Sequence, residues 1–174
     1  MSGFTTAAGV SVTQTTTSQQ APLGFQITVP TANNGNAVYT YVRAANPIPY
    51  GITCAKVPAA AASATSGLAG YDFADLATAA MAMDRYVGVA QQVPTAANPS
   101  GGIPALHYGF VLTRGVGVAV VNSASAANDA LVVHTAGGQL DDAAASAANT
   151  EVGVVLGDAI GAAGSGNVYV NFAG

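Results

Sequence analysis

Short runs in which apolar and polar residues alternate one by one, each cut off by glycine, asparagine or proline, push this chain towards β-strands. In Gly24-Phe25-Gln26-Ile27-Thr28-Val29 the residues Phe25, Ile27 and Val29 fall on one side of an extended backbone, because successive strand side chains point to opposite faces. The same period puts Val168, Val170 and Phe172 together near the end of the chain. A helix would scatter these residues around its circumference. Pro30 and the turn Asn33-Asn34-Gly35 close the first run, and Val38-Tyr39-Thr40-Tyr41-Val42 forms the next, ended by Asn46-Pro47. Further strands are expected over 86–90, 108–112, 116–121, 130–133, 152–156 and 168–172. Asn128-Asp129, Gly137-Gly138 and Gly164-Ser165-Gly166-Asn167 mark turns between them.

One segment has helical spacing. Asp72 is a plausible N-cap, and Phe73, Leu76, Ala77, Ala80 and Met81 recur at i, i+3, i+4, i+7 and i+8, which predicts a short helix over 72–83. The Ala/Ser/Gly stretch 58–70 before it is too small in bulk to pack, and the Pro- and Gly-rich stretch 93–104 reads as an irregular connector. The expected fold is therefore all-β, with small β-barrel or sandwich modules and one short helix. The chain also echoes itself. Val42 is followed nine residues later by Gly51-Ile52, then Val87-Gly88-Val89 and Tyr108-Gly109-Phe110-Val111. Val121 is followed nine residues later by Ala130-Leu131, then Val152-Gly153-Val154 and Val168-Tyr169-Val170. This predicts two related β modules in tandem. Residues 1–20 form an extended N-terminal arm, 21–105 a first module containing the loop and helix, and 106–174 a second. The arm has too little apolar content to fold alone, and its removal is expected to leave the β fold intact. Its Phe4, Val10 and Val12 are the candidate residues for contact with a partner.

Charge excludes several functions. Only 7% of residues are charged, four bases against eight acids, where roughly 25% is ordinary. Four scattered cations cannot displace the counterions of a polyphosphate, so nucleic acid is not an expected partner. A neutral surface of this kind is poorly soluble as a free monomer and points to burial in an assembly. No apolar run reaches membrane-spanning length, and Met1-Ser2-Gly3-Phe4-Thr5-Thr6 lacks the basic and apolar regions of a signal peptide. Synthesis in a cytoplasm is expected.

Catalytic chemistry has little to work with. His107 and His134 sit at strand ends, and no nucleophile elbow, phosphate-binding glycine loop or dinucleotide fingerprint is present. Cys54 is the only cysteine, which rules out an intramolecular disulfide and reads as a small buried hydrophobe. Asp141-Asp142 is the only adjacent acid pair. On a strand the two would face opposite ways, and in a turn they would be solvated or, with Glu151 or Asp158, hold Ca²⁺. No catalytic, cofactor or metal residues are assigned. Tyr39 and Tyr41 share one strand face and suit packing against a neighbouring module better than sugar binding, although Tyr39, Tyr41, Tyr50 and Tyr71 would serve a glycan-binding head fibre.

Four phrases of the C-terminal half carry a resemblance. They are Tyr108-Gly109-Phe110-Val111-Leu112-Thr113-Arg114-Gly115, Ala127-Asn128-Asp129-Ala130-Leu131-Val132-Val133, Val152-Gly153-Val154-Val155-Leu156-Gly157-Asp158-Ala159, and Val168-Tyr169-Val170-Asn171-Phe172. With Val87-Gly88-Val89-Ala90-Gln91 as an earlier counterpart, the chain over roughly 37–174 resembles the capsid decoration (cement) proteins of tailed phages. It departs from their pattern at Asn128, where they carry glycine, and in the insertion 58–83. The resemblance implies a β-rich homotrimer on the outer capsid surface of the virion. Such a protein bridges subunits of the major capsid protein and has no catalytic residues or cofactor. An adhesin or glycan-binding head fibre is the alternative.

Overall fold

In the computed structural model the described residues are 11–31, 35–56, 72–74, 86–134, 137–143 and 151–172. They form ten strands: β1 (Gln26–Thr31), β2 (Gly35–Ala44), β3 (Thr53–Lys56), β4 (Asp72–Ala74), β5 (Tyr86–Ala90), β6 (Tyr108–Val121), β7 (Ala130–Val133), β8 (Leu140–Asp142), β9 (Glu151–Leu156) and β10 (Gly164–Asn171). No helix occurs among the described residues. All ten strands hydrogen-bond into one sheet in the order β1-β2-β4-β3-β5-β6-β10-β9-β7-β8. Two further pairings, β2 with β6 and β6 with β8, turn the sheet back on itself twice. The result is two small closed barrels of five strands each, with β1 as an extra strand on the edge of β2. The 14-residue β6 belongs to both barrels. Closure pairs strand edges that would otherwise stay open to other chains.

The two barrels repeat one topology. In the first, β2 runs parallel to β4, β4 pairs antiparallel with β3, β3 with β5, β5 with β6, and β6 returns to β2. In the second, β6 runs parallel to β8, and β8 to β7, β7 to β9, β9 to β10 and β10 to β6 are all antiparallel. The likeness extends to irregularities. The β3–β5 register shifts between Cys54 and Ala55, and the β7–β9 register shifts at the corresponding Leu131 and Val132. Gly51 donates to the Ala90 carbonyl at 2.8 Å, and Ala90 donates back to Ile52 at 3.1 Å. Asn128 and Leu156 make the same exchange with Leu156 and Asp129 at 2.8 and 3.0 Å. Gly51 and Asn128 both take positive φ, 75° and 69°, a conformation that asparagine tolerates better than most side chains. Isolated bridges Ile48–Ile103 and Ser125–Ile160 close the two loops in the same way. The repeat read from the sequence is thus present, but two residues out of step. Gly51 answers to Asn128 and not to Ala130.

Each barrel has its own core. Val42, Ala44, Ile48, Ile52, Cys54, Val87, Ala90, Ile103 and Val111 fill the first. Leu131, Val133, Leu140, Val154, Leu156, Val168 and Val170 fill much of the second, and the outer side of the first barrel joins them through Ala55, Tyr86, Val89 and Leu112. Gly117 makes this junction: a Cβ there would collide with Leu112 Cδ2. Val168, Val170 and Phe172 are buried on one face, as the alternation predicted.

Several boundaries differ from those read in the sequence. β1 runs on through Pro30, paired with Asn36, because β1 is an edge strand where a missing N–H leaves no ladder bond unmade. The expected strands 108–112 and 116–121 are one strand, carried across Gly115 at φ 120°. Gly164-Ser165-Gly166-Asn167 is not a turn but the start of β10, with Gly166 opposite Ala119. The absence of a side chain on Gly166 leaves room for Leu156. The helix expected from Asp72 is also corrected at its start. Asp72–Ala74 is a strand lying between β2 and β3, where two neighbours satisfy its backbone and outweigh a local helical pattern. The rest of that prediction, 75–83, lies outside the described residues, as do turn positions 32–34.

Candidate functional site

The titratable groups are dispersed. Among the described residues no three His, Cys, Asp or Glu side chains stand close enough to hold a metal ion. His107 Nδ1 donates locally to the Ala105 carbonyl at 2.9 Å. His134 Nε2 lies 3.9 Å from Asp141 Oδ2. The Ser123 hydroxyl donates to Asp141 Oδ1, so this serine is tied to a carboxylate and not to the imidazole that would activate it. Asp141 and Asp142 lie on β8, as adjacent strand residues on opposite faces. Asp141 is buried and Asp142 partly exposed. Cys54 is fully buried, its thiol donates to the Gly88 carbonyl at 3.3 Å, and burial pushes its pKa up to about 12. Such a thiol is a packing group and not a nucleophile.

The aromatic face of β2 and β6 is already occupied. Tyr41 is fully buried, stacked on Tyr108 with ring centroids 6.1 Å apart and tilted against Phe110 at 5.0 Å. Val12, Ala21 and Val29 cover it, with Leu23 and Ile27 at the margin. Tyr39 is half-buried at the same place, and burial raises its pKa. A sugar cannot stack on Tyr41 here. Tyr50 is partly buried, and Tyr71 lies outside the described residues.

The candidate contact residues of the arm divide. Phe4 and Val10 lie outside the described residues. Val12 is 5% exposed and belongs to the chain's own core. Hydrogen bonds as well as burial hold its segment. Gln92 Nε2 donates to the carbonyls of both Val12 and Phe110. Thr16 and Tyr108 exchange backbone bonds at 2.9 and 2.8 Å, and the Gln20 amide donates to the Tyr41 hydroxyl at 3.0 Å. The second half of the arm is thus a built part of the first barrel.

Among the described residues the exposed large apolar side chains are Phe25, Val93, Leu106, Val116 and Tyr169. Val116 and Tyr169 are direct cross-strand partners on β6 and β10, and such partners share a face. The alternation in Val168-Tyr169-Val170 marks Tyr169 as outward-facing. Its pairing with Val116 depends on a register that sequence does not state. Gln91 was also not legible. Its carboxamide accepts from the Val118 amide at 3.0 Å and donates to the Val118 carbonyl at 2.9 Å, standing in for a strand along the free edge of β6.

Over the described residues the fold is therefore all-β, two fused and topologically repeated closed barrels. The chain matches no protein-family model and has no significant sequence match among curated proteins.

Proposed function

We propose that this chain is a structural capsid decoration protein. It binds the outer surface of an assembled phage capsid as a homotrimer and bridges neighbouring subunits of the major capsid protein. The observation that carries this reading is the pairing of a doubly closed β fold with a surface almost free of charge, 12 charged residues in 174. Docking such a surface desolvates few ions, so modest apolar and polar complementarity is enough. A decoration protein works by preferring the expanded lattice to its precursor, which draws the lattice towards the expanded state. Many copies, each touching more than one subunit, sum weak contacts into avidity. The sequence resemblance to tailed-phage cement proteins supports the same reading, and the burial of Tyr41 weakens the glycan-binding alternative.

The test is addition of purified protein to expanded capsids stripped of decoration. Saturable binding and a higher temperature of capsid rupture are expected. Binding to host glycans with no effect on capsid rupture would replace this reading with the adhesin one.

A further inference from the structure

Arg114 stands on β6 without an acid. It is exposed, its Nε donates to the neutral Asn171 Oδ1 at 3.2 Å, and among the described residues it makes no ion pair. Gln26, Val38, Thr113 and Phe172 join it around a cleft of about 160 Å³. A smaller cleft of about 50 Å³ shares Gln26 and Thr113 and adds Thr40 and Lys56. Thr40 and Thr113 are 3% and 5% exposed, and their hydroxyl oxygens are 2.6 Å apart. Gln26 Nε2 donates to Thr40 Oγ1 at 3.3 Å. Two hydroxyls bring two protons, and the bond between them uses one. The second proton meets no acceptor among the described residues, although a buried hydroxyl ordinarily finds its partners. The fold does not ask for hydroxyls at this place. Thr40 lies four residues before Ala44 at the end of β2, and the repeat sets Gly117, four before Val121 at the end of β6, in the same position.

We propose that this cleft binds one carboxylate group, whose charge the Arg114 guanidinium meets and one of whose oxygens accepts the spare proton of the Thr40–Thr113 pair. Asn171 engages Nε alone, which leaves the two terminal nitrogens of Arg114 for a ligand. A guanidinium fork fits the two oxygens of a carboxylate, and hydrogen bonds to an ionised acceptor are roughly twice as strong as neutral ones. The charge count selects a singly charged group. One cation balances one negative charge, whereas a phosphate dianion would leave a charge uncompensated in a chain whose net charge is already -4. Val38 and Phe172 give the carbon behind the carboxylate an apolar wall. The same group arrives either on an aspartate or glutamate of a protein partner or as a free acid. The first source rests on the decoration reading, and the site itself does not.

The experiment titrates sodium acetate into the full chain at pH 7 and constant ionic strength, against sodium chloride and sodium phosphate. NMR shifts are followed at the Arg114 Nε–H and at the backbone amides of Thr113 and Phe172. Saturable shifts with half-saturation on the order of 10 mM are expected for acetate, the range of one charge-assisted contact. Arg114→Gln, at an exposed position, should weaken acetate binding about tenfold, and Thr113→Val, which keeps the shape and removes a hydroxyl, about threefold or more. Shifts that rise linearly, that chloride reproduces, or that Arg114→Gln leaves unchanged overturn the proposal, as does phosphate binding tighter than acetate. The source is then read on expanded tailed-phage capsids. Attachment lost in Arg114→Gln assigns the carboxylate to a capsid side chain, and unchanged attachment assigns it to a free acid. The acetate titration involves no capsid, so failure of the decoration reading would leave its result standing, and the reverse.

Discussion

Gly102 accepts only one residue type. Its φ is +71°, and a Cβ there would be driven into the carbonyl oxygen of Ile48, which accepts the Ile103 amide at 2.8 Å. Left-handed strain and a backbone collision act together. Gly102→Ala is expected to cost more than about 2 kcal/mol in urea unfolding. Gly161→Ala, where the added carbon meets nothing within 4 Å, should stay within about 0.5 kcal/mol, and equal effects at the two sites would contradict the packing described. Cys54 makes a prediction in pH. Its thiol pKa rises from the ordinary 9.0 to about 12 on folding, because burial disfavours the thiolate. The unfolded chain therefore releases this proton first, and the contribution is intact below pH 9 and lost as pH rises from 9 towards 12. Wild type should lose stability faster than Cys54→Ala across that window, and parallel pH profiles would show that the thiol ionises equally in both states.

The N-terminal segment is the element whose role differs most from the sequence expectation. Low apolar content predicted an arm whose removal leaves the β fold and its melting nearly intact. The structure instead builds residues 11–20 into the first barrel through Val12, the Thr16–Tyr108 bridge and the Gln20–Tyr41 bond. One buried valine and several hydrogen bonds come to roughly 2–4 kcal/mol. Deleting residues 2–20 should lower stability by that amount, whereas deleting 2–10 should leave the melting transition of the barrel nearly unchanged. Equal melting of both truncations would show that the segment is not built in. Period-two alternation made β1 and the end of β10 legible, and short apolar runs between Gly- and Asn-marked turns pointed to β5, β7 and most of β9. The short β3 and β8 were missed. Thr53-Cys54-Ala55-Lys56 and Leu140-Asp141-Asp142 are strands by virtue of the neighbours that close each barrel. The outward position of Tyr169 was readable in the same way. Its partnership with Val116 was not, since register is set across 52 residues of intervening chain.

For the whole molecule, one strand shared by two closed barrels joins their cores, with Leu112 of the first seated at Gly117 of the second. That construction, together with a chain of only 12 charged residues in 174, is the property on which the decoration reading rests. The most direct measurement is electron cryomicroscopy, at side-chain resolution, of expanded tailed-phage capsids after addition of the purified protein. The account predicts density for both barrels on the outer surface, repeated at symmetry-related junctions between major capsid subunits. Capsids that remain bare under saturating protein would contradict it.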